Sequence, residues 1–157
     1  MSVVLAFDPG STSSGWAELE VFGSPMTARL RAFGEVPHNP HAWRALIGGS
    51  HVVAIERVRG IVYGIKGAGI VPHLIDASWA CGGIYATAKL AGIPVVDMPA
   101  VEWRRIVCGR PNASDAIVKL AVTRLVKDMP VRTNTHVRDA IGCGLAVGWT
   151  WKKARVA

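Results

Sequence analysis

Short apolar runs that end in an acidic residue are the clearest pattern in the first hundred positions. Residues 3–8 (VVLAFD) and 51–56 (HVVAIE) are almost continuously apolar, and each run closes on a carboxylate. Such runs are typical of strands that are buried on both faces of a sheet. Residues 15–21 and 27–36 predict two further strands, joined as a hairpin by a turn at 23–25, and a short fifth strand is predicted over 93–98.

Helical patterns occupy most of the remaining chain. A short helix is predicted over 40–47, and an Ala-, Gly- and Cys-rich helix over 72–90. Three more are predicted over 100–107, 114–126 and 136–151, the last two with apolar stripes at helical spacing. Strands come first as a hairpin and then alternate with helices. This order predicts an α/β domain with a mixed five-stranded sheet and helices on both faces.

Composition indicates an ordered protein of one domain. The 157 residues are 50% apolar and 18% charged, which excludes a disordered chain and predicts a single domain over 1–157. The first apolar run reaches Asp8 too early for a secretory signal, and the uncharged stretch 77–88 is too short to span a bilayer. The cysteines form no metal pattern and are interpreted as small core residues in a reducing, cytoplasmic compartment: Cys81, Cys108 and Cys143. Packing roles are expected for three tryptophans: Trp43, Trp79 and Trp103.

Positive charge is concentrated in the last third of the chain. Residues 1–100 hold seven basic and seven acidic residues, whereas 101–157 hold eleven basic and four acidic ones, which accounts for the net charge of +7. Such asymmetry favours a polyanionic partner, most simply nucleic acid. A solvated basic surface that only maintains solubility is the alternative.

Three acidic residues and one histidine carry the candidate chemistry. Asp8 and Glu56 each close a buried strand, and neighbouring strands would bring them together at one edge of the sheet. Asp139 lies near the start of the last helix, three positions after His136, and the preceding segment 133–135 (TNT) supplies N-cap candidates. Converging carboxylates repel one another, whereas two Mg²⁺ ions roughly 4 Å apart would both stabilise them and cleave a phosphodiester. Alone, each acid could simply cap a loop, and His136 could be a ligand, a general base or a helix cap.

Other catalytic motifs are missing from the sequence. There is no GxxxxGK[ST] phosphate loop, and no serine lies in a GxSxG elbow. Gly67 and Gly69 begin a dinucleotide fingerprint, but Pro72 occupies the place of its third glycine. The sequence therefore gives no support to these three site types.

Three motifs in order resemble the RuvC family of Holliday junction resolvases, within the ribonuclease H-like superfamily. They are FDPGSTSSGWA at 7–17, VVAIERV at 52–58 and HVRDAIGCGLA at 136–146. The resemblance implies a ribonuclease H-like fold and a Mg²⁺-dependent homodimer that cleaves four-way DNA junctions by paired nicks. The compact chain is more similar to phage or viral members, so a bacterial cell or a phage-infected host is the expected setting. The helix over 72–90 could form the dimer interface or belong to the core.

The resemblance also assigns roles to individual residues. Metal ligation and catalysis fall on Asp8, Glu56, His136 and Asp139, with two Mg²⁺ ions that Mn²⁺ is expected to replace. The resemblance also places Arg104 and Arg105, a basic pair just before the Val-x-Gly segment at 107–109, where the family has basic residues that contact DNA. The Gly-rich basic loop predicted over 57–70 follows Glu56 directly, which favours DNA contact over the alternative of a flexible surface loop. The full set of DNA-binding candidates is Arg57, Arg59, Tyr63, Lys66, Arg104, Arg105, Arg110 and Lys119.

Two departures from the family pattern concern this DNA-binding set. Arg59 stands where a stacking aromatic residue is common, and Tyr63 could replace it by stacking on a base. Asp115 stands near a family lysine, for which Lys119, one helical turn later, is a possible substitute. The sequence preference and the strict junction selectivity of the family therefore do not carry over directly.

Three other functions remain open at this stage. The same fold could cleave RNA–DNA hybrids, flaps or forks. The turn after Asp8 also resembles the phosphate-binding turn of actin-like nucleotide-binding proteins, although 157 residues cannot supply the two domains that those proteins need. A non-catalytic junction-binding protein is the last alternative, and the intact acidic set argues against it.

Overall fold

The computed structural model describes residues 2–22, 26–58 and 70–156, with residues 70, 71 and 152–156 described by their backbone alone. The predicted turn at 23–25 and most of the predicted loop, residues 59–69, lie outside these ranges. Six strands are found within them: β1 Ser2–Pro9, β2 Ser13–Phe22, β3 Thr27–Pro37, β4 Val52–Arg57, β5 Val95–Pro99 and β6 Val126–Lys127. The described helices are α1 Pro40–Ile47, α2 Ile70–Leu90, α3 Ala100–Cys108, α4 Asp115–Leu125 and α5 Thr135–Val156.

The sheet is mixed, with the strand order β5-β4-β1-β2-β3-β6. The β1–β2 and β2–β3 pairs are antiparallel, whereas β4 lies parallel to both β1 and β5. This arrangement confirms the predicted mixed α/β class, but the predicted number of five strands was too low by one. The additional strand, β6, has only two residues and pairs in parallel with β3. Its sequence continues the apolar pattern of α4, so it was predicted as the end of that helix.

Helices cover both faces of the sheet, as predicted. One core cluster includes Val4 and Ala6 of β1 with the inner faces of α3, α4 and α5, and the other includes Leu5 and Phe7 with α1 and α2. Successive β1 side chains therefore enter opposite cores, which explains why the run 3–7 has no polar position.

The predicted burial of tryptophan is correct at two positions and wrong at one. Trp43 and Trp103 are 4% and 0% exposed, but Trp79 is 77% exposed on the outer side of α2. Apolar residues occur all around α2, so its sequence does not indicate which side faces the sheet. Cys143 is buried, while Cys81 and Cys108 are half-buried, and all three are free thiols. None of the helices in the described ranges is long and apolar enough to cross a membrane.

Candidate active site

The site lies where β1 and β4 end side by side. The two strands are parallel, with Phe7 beside Ile55 in the register, so Asp8 and Glu56 follow at the same edge of the sheet. Helix α5 packs across β1 and β2 and begins at this edge. Asp139, only 7% exposed, comes from its first turns. The structure therefore brings together the three carboxylates that the sequence singled out.

A glycine allows α5 to begin directly against the β1–β2 turn. Gly15 pairs with Asp8 in the register of β1 and β2. A Cβ atom on Gly15 would lie 2.4 Å from the carbonyl carbon of His136, so any side chain there would displace the helix. Asn134 caps the helix, since its Oδ1 accepts a hydrogen bond of 2.8 Å from the Val137 N–H. These two features fix His136 beside the end of β1.

His136 and Asp8 form a close pair. Nδ1 of His136 lies 2.6 Å from Oδ2 of Asp8, whose side chain is 13% exposed while that of His136 is 51% exposed. The hydrogen bond with Asp8 raises the pKa of His136, and the charges of Asp8, Asp139 and Glu35 act in the same direction against partial burial. The imidazole therefore holds its proton to a higher pH than a free histidine does.

Glu56 is the most strongly perturbed carboxyl group of the site. Burial, followed by the charges of Asp8 and Asp139, raises the pKa of Glu56 to about 8. The Nε1–H of Trp103 donates a hydrogen bond of 2.8 Å to Oε2 of Glu56 and opposes this rise, as does the charge of Arg104. In the absence of a cation, Glu56 is thus largely protonated at neutral pH.

Asp139 is paired with an arginine. Nη2 of Arg104 lies 3.1 Å from Oδ2 of Asp139, and the guanidinium also lies 5.2 Å from the ring centroid of Trp103. Burial and the Asp8 charge raise the pKa of Asp139 to about 6, against the lowering effect of Arg104. Arg104, predicted to contact DNA, is therefore turned inward, with its side chain only 23% exposed.

The donor set of this site fits a hard divalent cation. Three carboxylates and one imidazole are the ligand types that Mg²⁺ and Mn²⁺ accept. Burial and the charges of neighbouring carboxylates raise the pKa of two of these carboxyl groups, Glu56 and Asp139, and a cation would favour their ionised forms. Within the described ranges, no three His, Cys, Asp or Glu side chains are arranged to hold an ion as they stand. Each carboxylate instead has its own partner: His136, Trp103 or Arg104. An ion would have to compete with these contacts or be accommodated alongside them.

The remaining DNA-binding candidates are placed less uniformly. Arg57, just after Glu56, is exposed and forms a 2.6 Å ion pair with Asp97 of β5. Three further candidates are exposed: Arg105 in the last turn of α3, Arg110 just after that helix, and Lys119 on α4. The candidates Arg59, Tyr63 and Lys66 lie outside the described residues. The start of α4 lies near the site, because Asp115 contributes to the raised pKa of Asp139.

Two residues near the site were missed in the sequence. Trp103 was predicted only to pack, yet its N–H contacts Glu56 across 47 positions of the chain. Glu35 of β3 lies beside Gly15 in the register and contributes to the raised pKa of His136. Neither residue belongs to a recognisable motif, because each reaches the site through tertiary contacts alone.

Comparison with solved structures identifies the fold. The chain is similar to the Thermus thermophilus RuvC structure, with 22% identity, a TM-score of 0.75 and coverage of 97% of this chain and 96% of that one. It is similar to T. thermophilus RuvC in complex with a Holliday junction substrate, with 20% identity, a TM-score of 0.79 and coverage of 98% and 97%. The fowlpox virus resolvase with its substrate Holliday junction DNA shares 12% identity at a TM-score of 0.52, with coverage of 96% and 99%.

These likenesses extend over nearly the whole chain. No family model matches the sequence, and no curated protein gives a significant match. The comparisons therefore show the fold: this chain has the ribonuclease H-like fold, in the form found in RuvC. This confirms the fold that the three sequence motifs implied.

Proposed function

We propose that residues 1–157 form one nuclease domain that resolves four-way DNA junctions by Mg²⁺-dependent hydrolysis. The observation that carries this proposal is the meeting of Asp8, Glu56 and Asp139 at one edge of the sheet, within a RuvC-like fold. Burial and neighbouring charges raise the pKa of Glu56 and Asp139, and groups perturbed in this way destabilise a protein unless a ligand uses them. A divalent cation is the ligand that best matches their charge and chemistry.

Each residue of the site has a distinct role in the proposed reaction. Asp8, Glu56 and Asp139, joined by His136, would hold two Mg²⁺ ions. When bound, the ions would activate a water and stabilise the leaving oxygen of the phosphodiester. His136 is half exposed and lies 2.6 Å from Asp8, so its imidazole is suited to hold or release a proton beside the attacked phosphate. Cleavage would leave a 5′-phosphate and a 3′-hydroxyl.

Branched DNA is the proposed substrate. Two of the structurally similar proteins, T. thermophilus RuvC and the fowlpox virus resolvase, are described in complex with a Holliday junction. The excess of basic residues in 101–157 supports a nucleic-acid partner, since lysine and arginine neutralise backbone phosphates. Exposed Arg57, Arg105, Arg110 and Lys119 are the described candidates for these contacts.

A homodimer is proposed as the working form, since two sites are needed for paired nicks. The outer side of α2 exposes Ile75, Trp79 and Tyr85, which are 41%, 77% and 45% exposed. Large apolar side chains in one surface region favour a protein partner. We assign this face to contact with a second copy of the chain.

Cleavage of a substrate panel tests the activity. The purified protein is incubated with a four-way junction, a fork, a flap, an RNA–DNA hybrid and a linear duplex, each in Mg²⁺, Mn²⁺ or EDTA. We expect paired nicks in the junction with either metal and none in EDTA. Asp8→Asn should bind the junction but cleave it about 100- to 1,000-fold more slowly, the scale for loss of one electrostatic group in an active site.

Other outcomes of the same panel select other functions. Preferred cleavage of the hybrid, flap or fork would replace the junction as substrate while keeping the metal site. Junction binding without cleavage in either metal would indicate a non-catalytic binder. Full activity of Asp8→Asn would contradict the proposed mechanism.

A further inference from the structure

The indole of Trp103 contacts the candidate metal ligand Glu56 from inside the core. Its side chain is completely buried, and its Nε1–H donates to Oε2 of Glu56 over 2.8 Å. An indole N–H is a donor only, so this contact takes up one carboxylate oxygen and brings no positive charge to the site. Because the ring is buried, the N–H has no access to water as an alternative partner.

The ring is held in place by its neighbours. On α5, a Cβ atom at Gly142 would lie 2.5 Å from Cζ3 and 2.8 Å from Cε3 of Trp103, so the ring occupies the space left by the missing side chain. The guanidinium of Arg104 lies 5.2 Å from the ring centroid. The N–H thus has a fixed direction, set by packing between α3 and α5.

Glu56 differs from the other two carboxylates in the kind of partner it has. Asp8 contacts the imidazole of His136, and Asp139 contacts the guanidinium of Arg104, both of which are cationic when protonated. A metal ion would compete with these positive groups by electrostatic repulsion. The neutral indole does not repel an ion and can remain bound to one carboxylate oxygen while the other oxygen acts as a ligand.

We propose that Trp103 is a positioning residue that holds Oε2 of Glu56 and leaves Oε1 to bind the metal ion. This inference rests on the proposed function, because it requires Glu56 to be a ligand. Hydrogen-bond donors behind a metal ligand fix its orientation, and their loss weakens metal binding by about 10- to 100-fold. Trp103 would thereby determine the affinity of the site without touching metal or DNA.

The chain contains a matched control for this role. Trp43 is also buried, its Nε1 has no hydrogen-bond partner in the described part of the chain, and a Cβ at Gly83 would lie 2.4 Å from its Cζ3. Trp43 therefore shares the packing of Trp103 on a helical glycine but lacks the carboxylate contact. Trp103→Phe and Trp43→Phe each keep an aromatic ring and remove an N–H.

Titration calorimetry with Mn²⁺ in the absence of DNA tests the proposal. We expect Trp103→Phe to bind Mn²⁺ about 10-fold or more weakly than the wild type, and Trp43→Phe to bind it as the wild type does. The Mg²⁺ concentration that gives half-maximal junction cleavage should rise in Trp103→Phe by a similar factor. Thermal unfolding in EDTA separately measures how much stability each variant loses because its packing is altered.

A second pair of variants covers a Trp103→Phe protein that fails to fold. Gly142→Ala pushes the Trp103 ring away from its position, and Gly83→Ala does the same to Trp43. Only Gly142→Ala should weaken Mn²⁺ binding. If the wild type binds Mn²⁺, and Trp103→Phe and Gly142→Ala bind it as tightly as Trp43→Phe and Gly83→Ala do, the proposed role of Trp103 is overturned and the metal site is retained. A wild type that binds no Mn²⁺ would overturn the proposed metal site and this inference with it.

Discussion

Nδ1 of His136 lies 2.6 Å from Oδ2 of Asp8, which joins the start of α5 to the end of β1 across 128 positions of sequence. It is the shortest of the three contacts made by the clustered carboxylates, ahead of those of Glu56 with Trp103 and Asp139 with Arg104. The hydrogen bond with Asp8 raises the pKa of His136, so the imidazole becomes easier to protonate. This contact therefore ties the first turn of α5 to the carboxylate that ends β1.

The clustered groups predict that the metal-free protein loses stability as pH rises from 5 to 9. The folded-state pKa is about 8 for Glu56 and about 6 for Asp139, against ordinary values of 4.5 and 3.8. The pKa of His136 is also raised above 6.5. Each group binds its proton more tightly in the folded protein than in the unfolded protein. The resulting stabilisation is complete below the ordinary pKa and is lost as pH rises through the folded-state pKa. The expected decrease in unfolding free energy is on the order of a few kcal/mol.

Thermal unfolding in EDTA and in Mg²⁺ over this pH range measures the effect. Mg²⁺ should restore stability at pH 8–9, because a bound cation favours ionised carboxylates. Glu56→Gln should show a shallower decrease in EDTA and be more stable than the wild type at pH 9, whereas Glu20→Gln on β2 should follow the wild type. A melting temperature in EDTA that is constant or increases from pH 5 to 9 would contradict the proposed electrostatics.

Local sequence patterns were sufficient for part of the site. Two buried strands that each end in an acid predict that Asp8 and Glu56 meet, because the ends of neighbouring parallel strands share an edge. Asp139 has no such local signal, and its place was implied by the order of the family motifs. A local pattern cannot place Asp139, because the position of its side chain depends on how closely α5 approaches the sheet.

The features that the sequence did not reveal depend on tertiary contacts. Trp103 reaches Glu56 across 47 positions, and β6 has only two residues, too few for a periodic pattern. The exposure of Trp79 could not be predicted either, because apolar residues surround α2 and no polar stripe marks its outer side. For Trp103 and Trp79, the missing information was which face of the helix meets the sheet.

Arg57 is expected to contribute to junction binding, with Asp97 limiting its contribution. The pair is exposed, with 2.6 Å between the guanidinium Nε and the carboxylate. Arg57→Gln should weaken junction binding and reduce the slope of log K against log salt by about 1, since one phosphate contact is lost. Asp97→Asn should leave Arg57 unpaired and bind the junction at least as tightly as the wild type.

Fluorescence anisotropy with a labelled junction in EDTA, at several salt concentrations, measures both effects. Arg31→Gln is the control, because Arg31 forms a comparable ion pair with Glu18 at 3.1 Å, away from the strand ends. Unchanged affinity and salt slope in Arg57→Gln would remove Arg57 from the DNA-binding set.

The exposed face of α2 predicts that Trp79→Glu converts a dimer into monomers. Trp79 is 77% exposed, and burial of a large aromatic side chain at an interface contributes about 1.5–3 kcal/mol. A charge in its place should therefore weaken association at least about tenfold. Size-exclusion chromatography with light scattering gives the mass directly. Leu120→Glu on α4, at a side chain that is 72% exposed, should stay dimeric. A wild type that is monomeric at all concentrations, or a dimeric Trp79→Glu, would exclude this face as the interface.

Gly15→Ala tests whether the close approach of α5 to the β1–β2 turn determines activity. The added Cβ would lie 2.4 Å from the His136 carbonyl carbon and 2.7 Å from the Val137 nitrogen, both of which are backbone atoms that cannot rotate away. The start of α5 must therefore shift, which should cost about 1–3 kcal/mol of stability and move His136 and Asp139 away from Asp8. Gly48→Ala is the control, because Gly48 has open space around it and an ordinary helical φ of −62°. We expect Gly15→Ala to lose junction cleavage at a temperature where circular dichroism shows it folded, while Gly48→Ala cleaves normally. Normal cleavage by a folded Gly15→Ala protein would mean that the placement of α5 at this turn does not control the reaction.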